Sequence, residues 1–244
     1  MDDKPSDIEQ YKWWLKEHHQ VEITDRLKNN YESATDKMKK QFQKSVFWKK
    51  LGRNLREYND EYYLDKEYPL LQDSRLLPEI LTKPFNSLVE KTYRKNVVEN
   101  DNFPKPPQNG WILPENWYSN INDILRTEIV IKYLDGVEFL IEKIHSLCEE
   151  FGKDEDFECT YEAREVGYYA VHLYMREEFE IPRMDWDTII VSSQIEIQLT
   201  TQLQEVIRKL LHKYYEERRV SPTLTEKKWQ WNYRSDEFAT NYLG

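Results

Sequence analysis

Residues Ile189–Tyr215, IIVSSQIEIQLTTQLQEVIRKLLHKYY, decide the fold. From Ile195 the stretch alternates strictly: Ile195, Ile197 and Leu199 are apolar, and Glu196, Gln198 and Thr200 lie between them. A period of two is a strand with one apolar and one polar face. At Thr201 the period changes. Leu203, Val206, Ile207, Leu210 and Leu211 recur at helical spacing, with Thr201 placed to cap the first turn. A strand therefore presents a carboxylate and an amide to one surface of a sheet, and a helix anchors the strand from behind.

The totals bound what surrounds it. A chain of 244 residues suits one domain of ordinary size, with or without a helical extension. Apolar residues at 39% leave enough to bury a core, and 33% charged residues keep the surface polar. Glycine is scarce, at 6, and neither GxxxxGK[ST] nor GxGxxG occurs, which argues against a glycine-rich phosphate loop. The formal net charge of -10 disfavours nucleic-acid binding over the whole surface but leaves a local basic patch open. Cys148 and Cys159 are too few and too far apart for a disulfide framework or a zinc site. No signal-peptide pattern and no long apolar run is present, so a cytoplasmic protein without membrane association is expected.

Taken in order, the first 65 or so residues read as helical. Tyr11, Trp14, Leu15, His18, Val21 and Ile23 form a ragged stripe, and Phe42, Val46, Phe47, Leu51 and Leu55 a cleaner one. The second stripe lies on a helix carrying Lys37, Lys39, Lys40, Lys44, Lys49, Lys50, Arg53 and Arg56, either a solvated face or a surface for a polyanion. Pro78 and Pro84 then punctuate the chain, and Phe85–Asn96 reads as a short helix. Ser87, Lys91, Arg94 and Lys95 follow at spacings of four, three and one. A hydroxyl and cations on one helical face suit a triphosphate, although such faces are commonly just solvated. Val97–Asn120, with four prolines and Gly110, reads as a loop long enough for a lid, with Trp111 and Trp117 as pins.

Asp123–Leu134 reads as a strand entered from a turn. Asp123 stands at its entrance, where a carboxylate can hold a magnesium ion bridging nucleotide phosphates. Asp135 is placed to cap a helix over Gly136–Phe151, closed by Gly152. Lys153–Val166 reads as a hairpin arm or loop. In Gly167–Phe179, Tyr169, Val171, Leu173 and Met175 form an apolar face, and Tyr168, Ala170, His172 and Tyr174 share the other. A ring there is a stacking platform for a base or one rung of a structural aromatic ladder. Val220–Gly244 is polar, basic and aromatic-rich.

These pieces resemble the RelA/SpoT-type nucleotide pyrophosphokinases, over about Leu77–Tyr215. KPFNSLVEKTYRK resembles the family's basic ATP-binding segment, NDILRTEIV its DxxGxR strand, GYYAVH its GYRSIH turn, and EIQLTT followed by LLHKYY its EVQIRT strand and the helix after it. The resemblance implies transfer of the β,γ-pyrophosphate of ATP to a ribose 3′-hydroxyl. It assigns Asp123 and Glu196 as catalytic and magnesium-binding residues. Lys83, Ser87, Lys91, Arg94 and Arg126 would grip ATP, and Tyr168, His172 and Gln198 would meet the acceptor. Pyrophosphoryl transfer needs charge neutralisation and positioning more than a reactive nucleophile, which cations and two carboxylates supply.

The departures bear on the acceptor. Family members that make alarmones place arginine at the positions of Glu128 and Thr200, and another at Leu81; Arg126 replaces a glycine. A free GDP or GTP acceptor needs counter-charge for its phosphates, whereas the CCA end of a tRNA carries no terminal polyphosphate. The pattern is similar to the toxic small alarmone synthetases that pyrophosphorylate the tRNA 3′ end, inhibit translation and are restrained by an antitoxin. Synthesis of (p)ppGpp or (p)ppApp from ATP and a free nucleotide is the alternative, and a catalytically silent binding module a third reading. The expected fold is α+β, a mixed central sheet of about five strands flanked by helices. A helical extension is expected over 1–75, the synthetase domain over 76–220 and a tail over 221–244. No HD-type pair occurs among the five histidines, so a hydrolase half is not expected.

Overall fold

Side chains that accept a backbone N–H mark the first two helix starts. Asp7 accepts the N–H of Gln10 at 2.8 Å to open α1 (Ile8–His19), and Thr24 accepts that of Leu27 at 3.2 Å to open α2 (Asp25–Lys44). The computed structural model describes residues 4–73, 78–163, 169–182 and 187–207. The expected boundaries at 75/76 and 220/221 fall outside them. After α2 the backbone of Ser45 turns extended (ψ 152°), and α3 (Val46–Lys66) begins afresh. The cations from Lys37 to Arg56 therefore do not share one helix. They are divided between α2 and α3, Lys40 pairs with Asp36, Lys50 pairs with Glu150, and Val46 is 69% exposed instead of lying on a buried stripe.

The remaining elements are β1 (Ile80–Thr82), α4 (Phe85–Tyr93), the short α5 (Trp117–Asn120), β2 (Leu125–Ile131), α6 (Gly136–Glu150), β3 (Glu158–Ala163), β4 (Tyr169–Pro182) and β5 (Thr188–Thr201). The strands form one mixed sheet in the order β1-β2-β5-β4-β3, flanked by helices, as the sequence pattern led us to expect. β5 keeps its alternation, but Glu196, Gln198 and Thr200 are buried as well as Ile195, Ile197 and Leu199, at 3–7% exposure against 0–1%, so the polar face is largely covered. Thr201 caps as expected, its hydroxyl accepting the N–H of Gln204 at 3.3 Å. In the helical turn 202–207, Gln204 and Ile207 are the buried residues, while Leu203 and Val206 stay over two-fifths exposed. Leu210 and Leu211 lie outside the described residues.

The chain divides into two compact units that interleave along the sequence. The first comprises Met1–Ser45, Ile80–Arg126 and Met175–Glu196, with Tyr11, Trp14, Tyr31, Phe42, Leu88, Ile121 and Ile124 in its core. Within it the segment read as a lid is fastened down. Trp117 is 3% exposed, packed edge-on to Tyr31 and Phe85, and Trp111 sits 4.9 Å from Trp14. Asn96 donates to the Tyr11 hydroxyl and the Ile112 carbonyl and accepts the Ile112 N–H, so the backbone polar groups there are met from inside. Gln41 of α2 donates to the carbonyl of Glu180 at 2.8 Å and accepts its N–H at 3.1 Å, holding the far end of β4.

The second unit comprises Val46–Glu79, Thr127–Tyr174 and Ile197–Gly244. In it α3 packs on α6 through Phe47 against Phe151 and Tyr62 against Phe139. Gly136 allows a close approach: a Cβ there would meet Leu70 at 2.6 Å and Ile131 at 2.9 Å. Asp135 does not cap α6 with its side chain. It accepts the Tyr62 hydroxyl at 2.8 Å and also that of Tyr68. The acidic segment before β4 does supply a hairpin arm, β3, antiparallel to β4 with Glu158 opposite Tyr174 and Glu162 opposite Ala170.

Candidate active site

In the first unit, three charged side chains that are far apart in sequence converge. Asp123 lies two residues before β2, Lys83 one residue after β1, and Lys91 in the last turn of α4. Lys83 Nζ lies 2.8 Å from Asp123 Oδ2, and Lys91 Nζ 2.9 Å from Asp123 Oδ1 and 2.9 Å from Asn122 Oδ1. None of the three charged side chains is more than 16% exposed, so the contacts are shielded from water and stronger than surface pairs.

The local sequence explains the placement. Phe85, Leu88, Val89 and Thr92 are the buried face of α4, which leaves Ser87 and Lys91, four residues apart, on its half-exposed side. Lys83 is clamped by its backbone: its N–H donates to the carbonyl of Ile124 at 2.9 Å, and its own carbonyl accepts the Tyr31 hydroxyl at 2.8 Å. The residue bonded to Lys83 is thus the neighbour of Asp123, and the ion pair is set by main-chain geometry. Tyr31 is buried among Phe85, Trp117 and Tyr118, and that burial raises its hydroxyl pKa, keeping it a neutral donor.

The electrostatics follow. Burial pushes the Asp123 carboxyl up, but Lys83 and Lys91 together outweigh it and hold the group below its ordinary value. Burial lowers the Lys83 pKa, Asp123 opposes this, and Lys91 and Arg126 lower it further. Lys95 is lowered by burial and then by Lys91. One carboxylate therefore sits among Lys83, Lys91, Lys95 and Arg126, a net positive site suited to a polyanion.

Asp123, Lys83 and Lys91 are brought together, and Arg126 is exposed on β2 within electrostatic range of Lys83. Arg94 is turned aside: its Nε donates to Glu99 at 2.8 Å on the surface, and Lys95 feels Lys91 first, then Glu99 and Arg94, and Asp123 least. The helix widens into a π-turn over Arg94–Val98 as Asn96 makes its buried hydrogen bonds, a shift of register that helical spacing alone does not reveal. Glu196 is 6% exposed on β5, the strand next to β2. In the second unit, Gln198 is 7% exposed on β5, and His172 lies on β4 with Nε2 3.0 Å from Glu162 Oε2. Tyr168 lies outside the described residues. Lys95 belongs with Ser87, Lys91 and Arg94 to the segment read as a helical face suited to a triphosphate, whereas Asn122 and Tyr31 were not among the residues expected at the site. Asn122 opens NDILRTEIV and so stood beside an expected residue, while Tyr31 carries no motif signal.

Asp123 supplies a hard oxygen donor. Among the described residues no group of three or more His, Cys, Asp or Glu side chains is arranged to hold a metal. That donor set suits a cation that arrives with its own phosphate and water ligands rather than an all-protein cage.

No protein-family model matches the chain, and no curated protein matches it significantly. Among solved structures, a GTP pyrophosphokinase family protein from Streptococcus pneumoniae is 13% identical with a TM-score of 0.51, over 90% of this chain and 86% of that one. The small alarmone synthetases 1 and 2 from Bacillus subtilis are 17% and 16% identical. Their TM-scores are 0.47 and 0.45, over 88% and 86% of this chain and 89% and 88% of theirs. The chain shares the fold of the Streptococcus pneumoniae protein.

Proposed function

We propose that the chain is an ATP-dependent pyrophosphokinase. The observation that carries this is the buried Asp123 carboxylate gripped by Lys83 and Lys91, with Lys95 and Arg126 adding positive charge. The lysines stand where the triphosphate of ATP would displace them from Asp123, and Ser87 would add a hydroxyl. Arg94 would join once released from Glu99. Asp123 and Glu196 would then hold a magnesium ion, which neutralises phosphate charge when bound. In the reaction the acceptor 3′-oxygen bonds to the β-phosphorus of ATP, the bond from that phosphorus to the α,β-bridging oxygen breaks, and AMP leaves. The hydroxyl proton is released, and Glu196 would receive it.

The acceptor we propose is the 3′ end of tRNA, whose pyrophosphorylation blocks aminoacylation and inhibits translation, with an antitoxin as partner. Glu128, on β2 at a position where alarmone-producing relatives have arginine, supports an acceptor without a terminal polyphosphate. Tyr168, His172 and Gln198 would meet that acceptor. The second reading, synthesis of (p)ppGpp or (p)ppApp, is favoured by the fold neighbour from Streptococcus pneumoniae being a GTP pyrophosphokinase family protein. Incubation with ATP labelled in the β-phosphate, together with tRNA, GDP, GTP or AMP, tests both. Label in tRNA is expected, and label only in free nucleotides refutes the tRNA assignment.

A further inference from the structure

The β3–β4 hairpin carries an acid that none of the quoted motifs contains. Directly opposed residues of an antiparallel pair share a face. Glu158 opposite Tyr174, Thr160 opposite His172 and Glu162 opposite Ala170 thus put these six on one side of the hairpin. There, His172 Nε2 and Glu162 Oε2 are 3.0 Å apart, and the His172 and Tyr174 rings stack with 6.3 Å between centroids and 11° between planes. The side chains of His172 and Glu162 are 13% and 31% exposed, shielded enough for the contact to hold and open enough for a ligand to sense it.

A histidine on an acceptor surface is a natural ligand for a phosphate, because a protonated imidazole makes a charge-assisted bond to it. Here Nε2 is already directed at a carboxylate. Protonation of the ring would leave a neutral pair instead of a cation, and an incoming phosphate would meet the Glu162 charge as well.

We propose that Glu162, through its contact with His172, is a specificity-determining residue that disfavours acceptors bearing a terminal di- or triphosphate. The face then takes an acceptor whose reacting ribose ends a chain, a 3′-terminal nucleoside of RNA, with its base on the ring surface and no clustered phosphate to neutralise. This rests on the reading of the β4 face as the acceptor side of a pyrophosphokinase.

The test uses the full chain with labelled ATP and two competing acceptors, GDP and a short RNA hairpin ending in CCA. Glu162→Gln should raise kcat/KM for GDP relative to the RNA by about tenfold, the scale expected when a phosphate wins a charge-assisted hydrogen bond and a like charge is removed. The same substitution in a His172→Gln background should raise the ratio by clearly less, because only the direct removal of the like charge remains and the part that runs through the imidazole is gone; an undiminished rise of about tenfold overturns the role of the contact. A ratio unchanged by Glu162→Gln overturns the role of Glu162 and leaves the pyrophosphokinase reading standing. Absence of transfer to any acceptor by the unsubstituted chain overturns both. A second readout needs no substitution at Glu162: the His172 imidazole NMR resonances should stay in place on titration with GDP, and a saturable displacement overturns the proposal.

Discussion

Replacing Asp123 by Asn removes one charge and leaves its shape, so it isolates what the carboxylate does between two lysines. At 2.8 and 2.9 Å, in surroundings with an effective dielectric of about 20, each pair has a gross attraction of about 6 kcal/mol. Desolvation of three ions offsets most of it. The observable quantity is the cost of leaving the lysines without their counter-ion, about 3–5 kcal/mol for a buried pair. With 13% of each lysine exposed, the lower end of that range applies. A loss of about 3 kcal/mol lowers Tm by roughly 6–12 °C in a chain of this size. The same substitution should tighten binding of ATP in the presence of EDTA about tenfold, equivalent to about 1.4 kcal/mol, because phosphates no longer compete with Asp123 for the lysines. It should also abolish pyrophosphate transfer. The sign with pH is fixed as well. The Asp123 carboxyl lies below its ordinary value of 3.8, so its contribution is present above that value and is lost as pH falls through the lower folded value. The Tm gap between the two proteins should therefore hold from neutral pH to roughly pH 4 and close in stronger acid. Calorimetry and differential scanning fluorimetry measure both effects. An unchanged Tm together with weaker metal-free ATP binding refutes the assignment of Asp123 as the counter-ion that phosphates displace.

Tyr31→Phe deletes only the hydroxyl that holds the Lys83 carbonyl, a hydrogen bond worth about 1 kcal/mol. KM for ATP should rise severalfold while kcat changes little; an equal fall in kcat with KM unmoved would mean that Tyr31 does not position Lys83. Glu196→Gln should leave ATP binding within about twofold while transfer falls by roughly 10²-fold or more, as expected for an acid–base group; retained transfer rules out its proposed role. Gly136→Ala places a Cβ against Leu70 and Ile131 and should cost about 1–3 kcal/mol in urea unfolding without altering ATP affinity. A neutral result would show that the two side chains yield readily.

Features governed by neighbouring residues were the legible ones. The alternation of β5, the Thr201 cap, the helix opening at Phe85 and the turn before β2 rest on local periodicity and capping, and they appear where the pattern put them. The Lys83, Lys91 and Asp123 cluster was legible as three expected site residues, though not as an ion-paired group. The break at Ser45 had no signal: no glycine or proline marks it, and the apolar stripe from Phe42 to Leu55 runs across it in phase. The turning aside of Arg94 comes with a π-turn in which Asn96 bonds Tyr11 and Ile112, distant in sequence. Tyr31 reaches Lys83 across 52 positions, and Glu162 meets His172 only through the hairpin register. Interactions of this kind are decided by tertiary packing and leave no period to read.

The contact between Gln41 and Glu180 has a consequence for solubility. β4 runs to Pro182, but β3 pairs with it only as far as Tyr174, so the last stretch of β4 outreaches its partner. A strand that outruns its neighbour offers bare amides to any passing extended chain, the usual route to intermolecular sheet growth. The carboxamide of Gln41 mimics one peptide unit and occupies that position with a group that no further strand can extend. A helix side chain thereby terminates the ladder, and a single alanine at residue 41 would hand the terminus back to the solution.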